Sequence, residues 1–511
     1  MLRSADLRSA AWLVAGTGSA LLVRATMPPY DVAPLALVAW VPLLVLVGRV
    51  TLRYLLLAAT IQGALLNLWA HAWVVGGLAE TVSAPLPAAL GAWILLAIFQ
   101  GLRVPLVLFL VHLAVRVRCP LWLAFPVVEL VLEEFYPLFF PWTLALEVHG
   151  VAPWLQLAAL GGPGAVSVWL GLVNGLVADA WRGKDERALA VRRLAAAGGV
   201  VASVSAFGYW ALAEVDAREA AAPSARVLVG HFGTESAKRG AEPVVELRHH
   251  TLDALRRSGP VELVIWPETV VSRPTDPREL PKLARDFLLR DRAAGTGAPV
   301  LRVPLLFGAV LEDADRKYNA AVLVRHPGVV LGRYDKQVLV PVGESSRIAS
   351  ALPDFGELVP VATRFASGAA PSELTLDGRR ISVSICYEDI LAEHVRQSVL
   401  ATEPELLVNL TSDAWFRGSA ARDFHFALAK LRSVEQRKYL VRSTREGVSA
   451  VIDSGGRVLE RTGSPSSEVL SATVRWLPGL TPYARFGATW IVALVLLTGV
   501  VVLVRARGAS R

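Results

Sequence analysis

Ile381-Ser-Val-Ser-Ile-Cys386-Tyr-Glu-Asp389 is the stretch that decides how the water-soluble part of this 511-residue chain folds. Ile381, Val383 and Ile385 alternate with serines, the period of two expected of a β-strand. The strand gives way to a helix at Cys386, so a thiol stands at a strand-to-helix junction. α/β folds expose nucleophiles at such junctions, because backbone N–H groups at a helix start point toward developing negative charge. A lone cysteine is more often a small buried hydrophobe. Cys386 therefore gains meaning only from what accompanies it. The other cysteine, Cys119, lies in a different region, which leaves no pair for a structural disulfide and no thiolate cluster for a metal.

Working outward, residues 225–473 alternate short β-like runs with amphipathic segments. Ala225–Gly230, Val261–Trp266, Leu305–Val310, Glu405–Asn409 and Val448–Ile452 read as further strands. Val244–Arg257, Pro277–Arg292 and Ala420–Gln436 carry helical apolar spacing, and Asp453-Ser-Gly-Gly456 reads as a hairpin turn. The pattern predicts an α/β domain with strands packed under helices. Two more strand ends finish in reactive groups. Ile265-Trp-Pro-Glu268 closes on a carboxylate, with Pro267 breaking the ladder just before it. Tyr334-Asp-Lys-Gln-Val-Leu-Val-Pro-Val-Gly-Glu344 sets Lys336 beside a strand and an acid at the following turn.

The flanks are of another kind. The chain is 54% hydrophobic and 19% charged, with mean hydropathy +0.46. The apolar excess lies before about residue 213 and after about residue 485. A spanning helix needs about 20 mostly apolar residues. Seven such stretches, roughly 9–24, 32–48, 54–73, 87–114, 119–137, 151–180 and 193–213, precede the soluble part, and Phe486–Val504 follows it. One set of loops holds Arg3, Arg8, Arg49, Arg53, Arg116, Arg118, Arg182, Lys184, Arg187, Arg192, Arg193, Arg505, Arg507 and Arg511; the opposite set holds Arg24. Fourteen against one puts both termini in the cytoplasm and the soluble domain outside it. The same placement explains the net charge of +8 without nucleic acid. Glu129, Glu133, Glu134 and the run Phe135–Trp142 fall near the outer end of the fifth span, as functional carboxylates or as interfacial groups, and Arg103 pairs with one of them or faces protein.

The order Trp-Pro-Glu268, then Tyr-Asp-Lys336, then Cys386-Tyr-Glu resembles the Glu–Lys–Cys arrangement of the nitrilase superfamily. With about eight spans around that domain, the whole chain resembles the bacterial apolipoprotein N-acyltransferases. Phe140-Pro-Trp142, Leu339–Glu344, Asn409-Leu-Thr-Ser-Asp-Ala-Trp-Phe416 and Arg442-Ser-Thr-Arg-Glu-Gly447 carry the likeness. It implies a multi-pass α-helical membrane bundle (1–213 and 484–506) joined to a nitrilase-type αββα sandwich (220–475). It implies an inner-membrane enzyme with a periplasmic catalytic domain, a phospholipid acyl donor, a diacylated apolipoprotein acceptor, and neither cofactor nor metal. Cys386 would take an acyl chain as a thioester, and Glu268 would accept the thiol proton and later deprotonate the amine. Lys336, with the Tyr387 N–H, would stabilise the oxyanion. Glu344, Glu388 and Trp415 would support these groups or the substrate. His231, His249, His250, His326 and His425 lie outside the motifs and read as surface or structural.

The sequence departs from the family at several positions. Val338, Val342 and Ser345 stand where the family usually has His, Phe and Tyr, and Arg239 stands roughly where a functional Trp is expected. An Arg common after the Glu129 region is replaced by acids. These changes bear on donor and acceptor preference and leave open a paralogue that acylates another amine or hydrolyses a membrane amide. A non-catalytic scaffold is disfavoured by the retention of Glu268, Lys336 and Cys386.

Overall fold

A computed structural model describes residues 4–81, 83–183, 185–285, 301–341, 344, 365–369, 371, 374–462 and 465–508. The chain divides into two compact units, Met1–Val75 with Leu90–Ala213 and Phe486–Arg511, and Gly76–Ala89 with Glu214–Arg485.

The first unit is helical. By length and composition, four helical stretches among the described residues can cross a membrane: Leu52–Glu80, Leu86–Arg116, Ala158–Arg182 and Arg187–Ala221. Shorter apolar helices cover Ala10–Thr26, Ala33–Leu46 and Trp490–Val500. The expected span 32–48 is broken, as a 3-10 turn Ala33–Leu37 and a helix Val41–Leu46. Pro34 and Pro42 lack the N–H that a continuous helix would use, and the freed Trp40 amide donates to Asn174 Oδ1 at 3.0 Å. The expected span 151–180 opens as a separate short helix, Ala152–Leu155, and its main helix is kinked at Gly161 and Gly162. The helix of the fifth expected span runs only Leu121–Phe135.

Non-helical backbone beside lipid must find partners in the protein. The segment after Phe135 does so. Gln100 Oε1 accepts from the amides of Phe139 (2.9 Å) and Phe140 (3.2 Å), and Arg103 donates to the Trp142 carbonyl at 2.7 Å. Arg103 pairs with Glu129 and lies 3.6 Å from Glu133. Arg103 and Glu129 are buried, and Glu133 Oε1 receives the Leu144 amide at 2.7 Å and Ser167 at 2.9 Å. These acids are therefore interior groups tied to protein, with Glu134 the exposed member of the run.

The second unit is built on thirteen strands among its described residues: β1 Ser224–His231, β2 Leu263–Ile265, β3 Val271–Thr275, β4 Leu305–Asp313, β5 Arg316–Arg325, β6 Val329–Asp335, β7 Leu374–Leu376, β8 Arg379–Ile385, β9 Leu406–Ser412, β10 Leu440–Arg445, β11 Ala450–Ile452, β12 Val458–Arg461 and β13 Glu468–Arg475. They form a seven-stranded sheet, β13-β1-β2-β4-β5-β6 with β3 also on β4, and a six-stranded sheet, β12-β11-β10-β9-β8-β7. Alternation sorts the side chains. Val227, Val229, Leu263 and Ile265 of the first sheet meet Ile381, Val383, Ile385 and Val408 of the second in one shared core. Leu228, Val264 and Trp266 face the other way, onto Val244 and Leu247 of the helix Pro243–Arg257. Leu407 and Leu440 face Val395 and Phe426 of the helices Ala392–Thr402 and Ala421–Gln436. Helices thus cover both outer faces, giving an αββα sandwich.

The expected helix over 277–292 is a 3-10 turn Pro277–Glu279 and a helix Leu280–Leu283; residues 286–292 lie outside the described residues. At the hairpin, Asp453 Oδ1 accepts the amides of Gly455 and Arg457 at 2.9 and 2.8 Å and closes the turn between β11 and β12.

β1, β2 and β4 are mutually parallel, as are β8, β9 and β10. β6 is antiparallel to β5, and β5 to β4, so β6 runs with β4. Just past β1, Phe232 pairs in parallel with Arg445 at the end of β10. The carboxyl ends of both sheets therefore share one edge, and Glu268, Lys336 and Cys386 follow β2, β6 and β8 there.

Candidate active site

Each of the three strand ends is fixed by backbone chemistry. After β2, Gly308 donates its amide to the Pro267 carbonyl at 3.1 Å. A Cβ at position 308 would stand 2.5 Å from Glu268 Cα, so only glycine lets β4 approach the carboxylate this closely. Thr269 follows with φ +48°, and Arg445 holds its carbonyl at 3.1 Å. After β6, the Lys336 amide donates to Asn319 O at 2.8 Å, while Asn319 Nδ2 donates to Glu268 Oε1 at 2.6 Å. One asparagine on β5 therefore links the base and the lysine. After β8, Cys386 opens the 3-10 turn Cys386–Ile390 with φ +52°, a left-handed conformation that persists for a non-glycine residue only when its surroundings impose it.

Lys336 is fully buried. Its ammonium donates to Glu344 Oε1 at 2.9 Å and Oε2 at 2.7 Å, and Val340 N also binds Oε2 at 2.9 Å. Burial works against the lysine charge, but Glu344 and the negative charge available at Cys386 and Glu268 outweigh it and push the ammonium above its usual range. Burial pushes Glu268 up to about 7, with Lys336 opposing and Glu344 adding to the rise. Its Oε2 is buried with no hydrogen-bond partner among the described residues. The Cys386 thiol is half-buried; burial and then Glu268 push it up, against Lys336. The four groups thus act on one another electrostatically. At neutral pH the arrangement is a protonated thiol, a fixed ammonium, and a carboxyl poised between its two states with one free oxygen.

The other expected residues divide. Glu344 sits on the Lys336 ammonium. Glu388, fully buried, accepts four bonds: Oε1 from Tyr334 Oη (2.9 Å), Gln337 N (2.6 Å) and Val338 N (3.0 Å), and Oε2 from Ile385 N (2.7 Å). It binds the backbone on both sides of the site and not the ammonium itself. Tyr387 is buried, and burial, opposed by Lys336, pushes its phenol up to about 12. Trp415 is half-buried in the 3-10 turn Ala414–Phe416 and makes no hydrogen bond to Glu268, Lys336 or Cys386. Arg239 is largely exposed, 3.6 Å from Glu246. Val342 and Ser345 lie outside the described residues. Sequence reasoning missed Asn319, whose one signal is a polar residue inside the apolar strand β5. It also missed a buried charge cluster of Asp389, His425, Asp413 and Arg442 beyond Cys386. His231 and His425 are both interior.

Two family models match. Residues 222–476 match carbon-nitrogen hydrolase, and 19–176 match the apolipoprotein N-acyltransferase N-terminal domain. The protein named apolipoprotein N-acyltransferase from Azotobacter vinelandii is 32% identical over 498 residues, 94% of this chain and 93% of that one. The chain belongs to the apolipoprotein N-acyltransferase family. Another apolipoprotein N-acyltransferase, from Geobacter metallireducens, is 28% identical over 93% of this chain and 92% of its own. A solved carbon-nitrogen hydrolase from Helicobacter pylori G27 matches half of this chain at 13% identity and TM-score 0.36, covering 89% of that chain, too slight a likeness to carry an argument. Within the stretch matching carbon-nitrogen hydrolase, Cys386 is the only cysteine of this N-acyltransferase family member.

Proposed function

We propose that this protein transfers an acyl chain from a membrane glycerophospholipid, through a thioester on Cys386, to the N-terminal amine of diacylglyceryl-cysteine in apolipoproteins. The observation that carries the reading is the convergence of a buried ammonium, a carboxyl with one unpaired oxygen and a thiol on one edge of the sandwich.

In the first half-reaction Cys386 Sγ attacks the ester carbonyl while Glu268 takes the thiol proton. The carbonyl oxygen becomes an oxyanion facing Lys336 and the Tyr387 N–H. The C–O bond then breaks, Glu268 returns the proton to the departing lysophospholipid alkoxide, and the acyl-enzyme remains. In the second, the amine attacks the thioester, Glu268 takes its proton, the C–S bond breaks, and the thiolate is reprotonated. A carboxyl near pH 7 suits both directions of this traffic. Glu344 keeps Lys336 charged and aimed; Glu388 fixes the two loops that carry the lysine and the thiol. Trp415 supports these groups or the substrate.

Residues 1–213 and 484–506 form the membrane part, with eight spans and both termini in the cytoplasm of the inner membrane, and 220–475 form the periplasmic catalytic domain. The fourteen-to-one loop charge supports that orientation. Each buried CH₂ holds a lipid in the bilayer by about 0.8 kcal/mol, so the catalytic cleft must go to the donor. Excluding water there also spares the thioester.

Deletion of the gene tests this reading through the mass of the cell's lipoproteins. They should lose one acyl chain, recovered with the wild-type gene and not with C386A; unchanged masses would refute it.

A further inference from the structure

Past Cys386 the same 3-10 turn carries a buried acid with no role in the chemistry above. Asp389 is 1% exposed, and its charged partners come from two other elements. His425, on the helix Ala421–Gln436, lies with Nε2 2.9 Å from Asp389 Oδ1 and Nδ1 2.7 Å from Asp413 Oδ1. Arg442, on β10, donates to Asp389 Oδ2, to Asn409 Oδ1 at 3.0 Å and to Asp413 Oδ2 at 3.2 Å. Ionised carboxylate oxygens only accept hydrogen bonds, so an imidazole facing one from each nitrogen carries both protons. The set is then two anions and two cations, balanced inside a core where a lone charge is strongly unfavourable. It is also tightly fitted: a Cβ at Gly447 would stand 2.0 Å from Asp413 Oδ2.

We propose that Asp389, His425, Asp413 and Arg442 form a positioning network that holds the Cys386–Ile390 turn and thereby aims the Cys386 thiol. Three observations converge on it. Cys386 adopts φ +52° and needs outside support. The next residue of the turn is held as well, Ile390 O accepting Arg432 Nη1 at 3.2 Å. None of the four side chains hydrogen-bonds to Glu268, Lys336 or Glu344, so their contacts hold the turn, and Arg442 besides lies near enough to Cys386 for their charges to interact. The network also accounts for Asn409–Phe416 and Arg442–Gly447, two motifs that the catalytic groups left unexplained: they supply Asn409, Asp413, Arg442 and Gly447.

The proposal rests on Cys386 being the nucleophile, and one experiment separates the two claims. Full-length enzyme in detergent micelles with a glycerophospholipid donor is assayed for acyl-adduct formation and for alkylation of Cys386 by iodoacetamide, alongside its unfolding midpoint. D389N, assayed at a temperature where it stays folded, is expected to slow both reactions at least tenfold, with the donor KM within twofold of wild type and a lowered unfolding midpoint. If D389N does not accumulate folded, N409A, at the margin of the network, is expected to slow both at least fivefold. Folded variants that react at the wild-type rate would overturn the network while leaving the nucleophile intact. A wild-type enzyme that forms no adduct would overturn the nucleophile, and the network with it.

Discussion

Both carboxylate oxygens of Glu344 receive hydrogen bonds from the Lys336 ammonium, at 2.9 and 2.7 Å, and the lysine has no exposed surface. A buried ion pair of this kind keeps a charge available where water cannot supply one. K336M removes the ammonium from the oxyanion position. Single-turnover thioester formation is expected to fall by roughly 10²–10³, the effect of losing about 2.7–4 kcal/mol of transition-state stabilisation. The double variant K336M/E344Q should regain the unfolding midpoint that K336M loses, because no carboxylate is left unpaired, but not the rate. Recovery of both would mean that Lys336 only pairs with Glu344.

Glu268 sets the pH dependence. It must be ionised to accept the thiol proton, and burial raises it to about 7. Thioester formation should therefore rise with pH and level off above about 7, and E268Q should be slow at every pH. The stability effect has the opposite sign: between the unfolded value near 4.5 and the folded value near 7, the folded state holds the extra proton. Stability contributed by this group falls as pH rises through that window. E268Q should remove that fall, which unfolding midpoints at pH 5 and 8 would show.

Four donors converge on the Glu388 carboxylate, three from the Lys336 side and one from the Cys386 side. E388Q turns an amide N–H₂ toward at least one backbone N–H, leaving a buried donor unmet at a cost of about 1–3 kcal/mol. Y334F deletes one bond and should cost about 1 kcal/mol. Unfolding midpoints of the solubilised enzyme should rank wild type, Y334F, then E388Q. Equal midpoints for E388Q and wild type would remove Glu388 from its place between the two loops.

What the sequence revealed was local. Glu268, Lys336 and Cys386 each end a short apolar run, and such runs are legible because alternation and a following Pro, Lys or Cys lie within a few residues. Asn319, Asp389, His425 and Arg442 were not legible as a site, since their partners arrive from strands and helices far away in sequence. The membrane half shows the complementary limit. Hydropathy averaged over a window passes over Pro34, Pro42 and the Gly161–Gly162 kink, where single residues break the helix. The family resemblance puts Glu388 at Lys336 or the substrate amine; its position three residues past Ile385 instead lets it cap the Ile385 amide and reach Gln337.

His425 gives the folded domain a second pH signature. Burial and Arg442 press against its protonation, but Asp389 and Asp413 more than offset them and raise it to about 9. A histidine raised in this way stabilises the fold fully below its unfolded value near 6.5, and that contribution is lost as pH rises through about 9. Unfolding midpoints of the wild type should decline over that range, and those of H425Q should decline less.

The whole reaction turns on an acyl group carried on one sulfur. Purified enzyme given a glycerophospholipid with an isotopically labelled acyl chain, then digested and weighed by mass spectrometry, tests it directly. The labelled chain should appear on the peptide containing Cys386, leave on treatment with hydroxylamine, and pass to a peptide bearing diacylglyceryl-cysteine with a free amine. Label that never reaches Cys386, or a C386A enzyme that still acylates the peptide, would contradict the mechanism.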